Sequence, residues 1–308
     1  DMNKLKAWVE ASRPRMLTLG LSSGLVPGAL AYRNAVFDLP TLVMELLLTT
    51  GLLIVSCWAD EYGDLKKGVD NNNRLGPIRP VQRGEISLKE ILIGTLLGSA
   101  ACFALGTALT LYSFLRHGFN LAGFIGFIVV GIICILATWG YTMGKRPYGY
   151  IGLGDISAYF FFGIVAGVGG YFLYAHTMDM VVLLPMTSVG LLFVSTINLQ
   201  NIRDFDNDFA CKKYTTAIVL GRAGAIRYQF VLVVVAALCY LSTPVIFGLS
   251  NPLNYLFAVT MLPFIVHLIR FYTLATSRES PAKLDLLMWP LTRSMGLTAL
   301  LFSVCICL

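Results

Sequence analysis

Two short acidic stretches hold the residue types that could do chemistry. The first reads SCWADEYGDLKKGVDNNNRLGPIRPVQRG and places Cys57, Asp60, Glu61 and Asp64 at i, i+3, i+4 and i+7, one face of a helix. The second, NLQNIRDFDNDFACKKYTT, places Asn201, Asp204 and Asp208 at i, i+3 and i+7. Carboxylates stacked along one helix face repel each other unless positive charge sits among them. A hard divalent cation answers that need, and Mg²⁺ takes one or two carboxylates, keeps several waters and shares its other positions with phosphate oxygens. Two facing carboxylate helices therefore predict a magnesium-bound diphosphate. Guanidinium forks and ammonium groups would complete it, the nearby candidates being Arg74, Arg79, Lys145, Arg146, Arg203 and Lys213. The two clusters lie 144 residues apart, a spacing that hints at an internal duplication.

The elements that must position these groups are set by composition. Of 308 residues, 56% are hydrophobic without counting 29 glycines, and only 13% are charged. So few charges could not cover a water-facing surface of this size, which excludes a soluble globular enzyme, a disordered tail and a nucleic-acid-binding domain despite the net charge of +6. Apolar runs long enough for a bilayer core of about 30 Å centre near residues 25, 48, 100, 130, 162, 189, 237, 263 and 298. They are continuous rather than alternating, so the expectation is an all-α membrane protein of nine transmembrane helices forming one domain over 1–308. With the N-terminus cytoplasmic and the C-terminus opposite, 21 of the 23 Lys and Arg fall on the inner side, leaving only Arg33 and Arg116 outside. Both acidic clusters then lie at inner helix ends. A transporter or channel would place such groups near the midplane instead. The seven cysteines are scattered without paired spacing and read as small apolar fillers. The polar, basic N-terminus predicts no cleaved signal peptide, and Asp1 ahead of Met2 reads as a foreign leading residue.

At these motifs the chain resembles the UbiA-type intramembrane aromatic prenyltransferases, and within them the branch that prenylates 1,4-dihydroxy-2-naphthoate in menaquinone biosynthesis. The resemblance runs over most of the chain: SRPRMLTLGLSSGLVPGALAY, the DEYGDLKKGVD core with its RLGPIRPVQRGEIS tail, YTMGKRPYGYIGLGDISAYFFFG and NLQNIRDFDNDFACKKYTTAIVLG. It implies a UbiA-type bundle in the cell (inner) membrane with its active site facing the cytoplasm. It also implies Mg²⁺ and diphosphate ligation by Glu61, Asp64, Asn201, Asp204 and Asp208, with Lys213 and Arg203 on the diphosphate. Two positions depart from the pattern: Cys57 stands where the family has a leading Asn, and Asp60-Glu61 replaces the usual Asn-Asp pair. A thiol is a poor Mg²⁺ ligand, so Asp60 is expected to supply the missing oxygen.

The implied reaction joins a polyprenyl group, from polyprenyl diphosphate, to the naphthoate ring with loss of CO₂ and diphosphate. A base at the ring hydroxyl is needed; Asp64 is the first candidate and Asp155, in GLGD, the second. Arg146 could hold either the diphosphate or the acceptor carboxylate. Phe160, Phe161, Phe162 and Tyr159 are candidates for the groove of the prenyl chain, and Gly163, Gly167, Gly169 and Gly170 for close helix packing or a thin wall. The alternatives are a UbiA-type enzyme with a 4-hydroxybenzoate or chlorophyll-type acceptor and, from another class, a secondary transporter.

Overall fold

Helix starts are written plainly in the sequence. Asp38 accepts a hydrogen bond from the Thr41 backbone, Ser87 and Glu90 form a reciprocal capping box, and Asn120 accepts from Ala122 and Gly123. In the computed structural model, which describes residues 2–308 and leaves Asp1 outside, these caps open three of eleven helices. They are α1 (Met2–Ala11), α2 (Leu17–Arg33), α3 (Leu39–Lys66), α4 (Leu88–His117), α5 (Leu121–Gly140) and α6 (Gly154–Ala175). Then follow α7 (Met180–Arg203), α8 (Phe205–Ala210), α9 (Thr216–Ile246), α10 (Pro252–Thr276) and α11 (Met288–Cys305). The described residues contain no strand, only a single isolated bridge between Ile151 and Tyr214 that ties two loops together.

Seven helices are long and apolar enough to cross a membrane: α3, α4, α5, α6, α7, α9 and α10. The protein is a multi-pass helical membrane protein. All nine apolar centres fall inside helices, but α2, with 17 residues, and α11, with 18, are the shortest of those nine and lie outside the seven.

Lipid-facing and core-facing helices separate clearly. No residue of α5 is buried, while α7 is the most enclosed of the seven. Small residues bring α7 against α6: a Cβ on Gly163 would sit 3.2 Å from Gly190 Cα. The middle of α6, Tyr159–Gly169, is π-helical, and Phe162 stacks on Phe193 of α7 at 4.3 Å. A buried polar chain crosses three helices, Asn198 Nδ2 donating to Gln229 Oε1 at 2.9 Å with Gln229 Nε2 3.2 Å from His267 Nε2. Such side-chain bonds pin helices together where no water competes.

Candidate active site

The acidic clusters end up at one end of a single elongated cavity of about 290 Å³. Its walls are positions within 45–64 of α3, 102–110 of α4, 127–138 of α5, 157–173 of α6 and 193–201 of α7. Most of its length is apolar. At one end it meets the loop 67–87 and α8, and there the charged residues gather: Arg13, Asp60, Asp64, Asp70, Arg74, Arg79, Asp204, Asp208 and Lys213, with the amides Gln200 and Asn201.

These groups are mutually compensated across the two motifs. Lys213 Nζ lies 2.7 Å from Asp64 Oδ2, and the Tyr150 hydroxyl donates to Asp64 Oδ1 at 2.6 Å. Burial works against the Lys213 charge, but Asp64, Asp208 and Asp60 outweigh it and raise its pKa well above the ordinary lysine value. Arg74 Nε reaches both Asp70 Oδ1 (3.3 Å) and Asp204 Oδ2 (3.2 Å), while Arg13 Nη2 meets Asp60 Oδ2 at 3.0 Å. Burial opposes ionisation of Asp204, yet the two hydrogen bonds from Arg203 hold its pKa below the usual carboxylate range.

Charges left over mark what the site can accept. Arg79 is half-buried next to Arg13 and Arg74, and its Nε is shielded from solvent without a hydrogen-bond partner. Burial first, then those two like charges, push its pKa down to about 9, so it stays charged near neutrality at a cost that an anion would relieve. On the acidic side, burial together with Asp204 and Asp64 pushes Asp208 up to about 7. Asp60 Oδ1 and both oxygens of Glu61 also lack hydrogen-bond partners. Oxygen donors with unmet demand near the C-terminal end of α3, where carbonyl dipoles favour cations, suit a hard divalent ion. Among the described residues no three His, Cys, Asp or Glu side chains are gathered closely enough to hold such an ion by themselves.

The second motif departs from the expected single helix face. Helix α7 stops at Arg203, Asp204 has φ −94° and ψ 10°, and Asp208 belongs to the separate helix α8. The break still turns Asn201, Asp204 and Asp208 into the same cavity. The loop 67–87 closes over them: Asn207 Nδ2 donates to Val69 O at 2.9 Å. A Cβ on Gly76 would overlap the Arg203 guanidinium, so the loop backbone must be bare there.

Five expected positions do not line the cavity. Glu61, fully buried, points one step around α3 toward Arg13, Arg79 and the Val81 backbone. Arg203 sits behind Asp204, fixed by Asp204 and by Asp285 Oδ1 at 2.6 Å, so its guanidinium is spent on holding a carboxylate. Lys145 and Arg146 are exposed on the loop after α5. Asp155, at the start of α6, is buried facing Thr216 and Tyr228 of α9. Of the α6 aromatics, Phe161 and Phe162 line the cavity, Phe160 is exposed, and Tyr159 bonds Thr187. Gly163 and Gly167 pack against α7, whereas Gly169 and Gly170 are cavity wall.

Sequence spacing missed Arg13, Asp70, Asp285 and Glu45. Arg13 and Asp70 are far from the acids' helical period, one in the left-handed turn before α2 and the other in the loop, where no periodic signal exists. Glu45 had a legible signal, being an acid inside an apolar run.

Fold and site together define an intramembrane enzyme for a phosphorylated, long-tailed substrate. The model of the UbiA prenyltransferase family matches residues 21–291, and the chain belongs to that family. It is 39% identical over 304 residues to a 1,4-dihydroxy-2-naphthoate octaprenyltransferase of Haemophilus influenzae, covering 98% of this chain and 94% of that one. It is 38% identical to the protein of the same name from Escherichia coli, over 78% of this chain and 76% of the relative. Among solved structures, a UbiA homologue from Aeropyrum pernix superposes with a TM-score of 0.65 at 18% identity, covering 91% of this chain and 96% of the other. A homologue from Archaeoglobus fulgidus bound to GPP and Mg²⁺ gives 0.61 at 13%, covering 96% and 99%. At those identities the likeness is one of fold.

Proposed function

We propose that this chain transfers a polyprenyl group from polyprenyl diphosphate to 1,4-dihydroxy-2-naphthoate, releasing CO₂ and diphosphate and giving demethylmenaquinol. One geometric observation carries the reading beside the naphthoate-specific relatives: Lys213 of the second motif pairs with Asp64 of the first, at the mouth of an apolar cavity that also holds the unpaired Arg79. A diphosphate head fits the charged end and a hydrocarbon tail the rest. The reading treats 1–308 as one domain with nine membrane passes, an inner-membrane setting, a cytoplasmic N-terminus and the charged end facing the cytoplasm.

Asp60, Asn201, Asp204 and Asp208 would hold Mg²⁺, with Glu61 held in reserve behind them and Asp64, paired with Lys213, left to serve the acceptor. Bound there, Mg²⁺ would supply charge neutralisation for a leaving diphosphate. Arg13, Arg74, Arg79 and Lys213 clamp the phosphate oxygens, a preorganised field that needs no rearrangement as charge develops. The loop 67–87, fastened by Asn207, excludes water while the allylic carbon waits for the ring. Asp64, steadied by Tyr150 and Lys213, takes the ring hydroxyl proton when an incoming diphosphate draws Lys213 away. A ring carbon then forms the new C–C bond, the ring carboxylate departs as CO₂, and the phenolate oxygen so formed takes the proton back from Asp64 to give the quinol.

The test is direct. Purified protein with Mg²⁺, octaprenyl diphosphate and the naphthoate should release CO₂ and form a prenylated quinol without any ion gradient. No turnover there, with 4-hydroxybenzoate accepted instead, would reassign the acceptor.

A further inference from the structure

Two arginines touch Asp204, and each is shared with a second acid. Arg74 Nε divides itself between Asp204 Oδ2 (3.2 Å) and Asp70 Oδ1 (3.3 Å). Arg203 gives Nε and Nη2 to the two Asp204 oxygens, at 3.0 and 2.7 Å, and Nη1 to Asp285 Oδ1 at 2.6 Å. Neighbouring residues on a helix do not face each other. The forked contact between Arg203 and Asp204 exists because α7 stops there and because Asp285 holds the far side of the guanidinium. The Arg203 side chain is 2% exposed, with the Gly76 backbone packed against it, so water cannot take over these bonds. Asp285 comes from outside the cavity, on the short 3₁₀ helix Pro281–Leu287 between α10 and α11, where Leu284 and Leu287 are buried in the main core. Its other oxygen meets the exposed Arg15 at 3.2 Å.

We infer that Asp285 is a positioning residue for the metal site: by taking part of the Arg203 charge, it leaves the Asp204 carboxylate free to bind Mg²⁺. This rests on the prenyl-transfer reading, which puts Mg²⁺ on Asp204, and extends it to a segment that lines no part of the cavity. In formal charge, Arg74 and Arg203 face the three acids Asp70, Asp204 and Asp285, which leaves one negative charge in excess. That excess is what a cation can use. Arg15 is solvated and compensates Asp285 little. Without Asp285, the buried Arg203 guanidinium has Asp204 alone to neutralise it. A carboxylate committed to a fixed cation is a weaker ligand for a mobile one, which is how a group behind a ligand tunes metal affinity.

The experiment separates the charge of Asp285 from its role as a tether. Asp285→Asn keeps an oxygen for Arg203 Nη1 and removes the charge. In purified protein with inorganic diphosphate, the Mg²⁺ concentration giving half of the full Tm rise should increase about tenfold, the scale for groups behind a metal ligand. Inorganic diphosphate without metal should bind the variant no more weakly than the parent, because net positive charge near the mouth has grown. Turnover at saturating Mg²⁺ should stay close to the parent's. Arg15→Met breaks only the exposed pair to the same carboxylate and should titrate with Mg²⁺ like the parent. An unshifted Mg²⁺ titration in Asp285→Asn, a parallel weakening of metal-free diphosphate, or an equal shift in Arg15→Met would overturn the inference alone. If Asp285→Asn does not fold, Asp285→Ser reads the same titration and decides. A parent protein whose Tm does not respond to Mg²⁺ with diphosphate would overturn the metal site of the prenyl-transfer reading and the inference with it.

Discussion

Arg79 illustrates how a single residue can be costly to the empty protein and necessary to the loaded one. Its guanidinium is half-buried beside Arg13 and Arg74 with an unpartnered Nε. Arg79→Met should therefore raise the Tm of the substrate-free protein in detergent, because a charge crowded against Arg13 and Arg74 is removed, a gain only partly offset by the attraction lost to Glu61 and Asp70. The same change should raise KM for the diphosphate substrate at least about tenfold, since a desolvated charge contact with phosphate is lost. Lys213→Met has the opposite balance. It strands Asp64 with only Tyr150, so stability should fall by about 3 kcal/mol or more, and kcat by about 100-fold. Asp60 tests the departure from the family motif. If it supplies the oxygen that Cys57 cannot, Asp60→Asn should weaken Mg²⁺ dependence and leave diphosphate affinity at saturating metal close to the parent's; an unaltered metal titration would sink the idea.

At the scale of elements, the site depends on two joints: the α6–α7 contact and the loop that covers the mouth. Helix α7 carries Asn201 and ends at Asp204, and its register against α6 is set by the Gly163 and Gly190 approach. On Gly190→Ala the new methyl would meet the Tyr159 ring at 2.8 Å, and overpacking of this kind costs about 1–3 kcal/mol, readable as a lower Tm. The loop 67–87 is held to α8 by Asn207. Asn207→Ala should loosen that cover and let water compete, so the measurable outcome is more prenyl diphosphate hydrolysed per prenylated product, with the protein still folded. The helices themselves were legible from apolar runs and caps such as Ser87 and Asn120. The break at Asp204 was not, because i, i+3, i+7 spacing in an unbroken polar stretch says nothing about where a helix stops without Gly or Pro to end it.

For the whole molecule the decisive feature is sidedness. On the nine-pass reading proposed above, basic residues gather on the face that holds the charged cavity mouth, and the opposite connections carry only Arg33 and Arg116. In intact cells a thiol introduced at Ser250 should react with a membrane-impermeant maleimide from outside, and one at Asn72 only after permeabilisation. The reverse pattern would invert the topology. The lipid-facing surface needs no partner to explain it: exposed residues such as Leu136, Ile156 and Val219 are what a bilayer solvates.

The residue types alone determined the chemistry and the medium. Paired acid clusters amid Arg and Lys are a donor set suited to a cation and an anion together, and so few charges in so apolar a chain require lipid, whatever the fold. Which of those residues face the cavity was decided only by tertiary structure. Helical spacing could not tell Asp64 from Glu61, one step further around the same turn, nor show that Arg203 would be consumed by Asp204 and Asp285. It could not bring in Arg13 or Asp70, which arrive from loops with no period. Nor could it reveal that Glu45 and Tyr174, 129 residues apart, meet inside the bundle. A side chain's direction is a property of its own helix, but what it faces is a property of the helices packed against it.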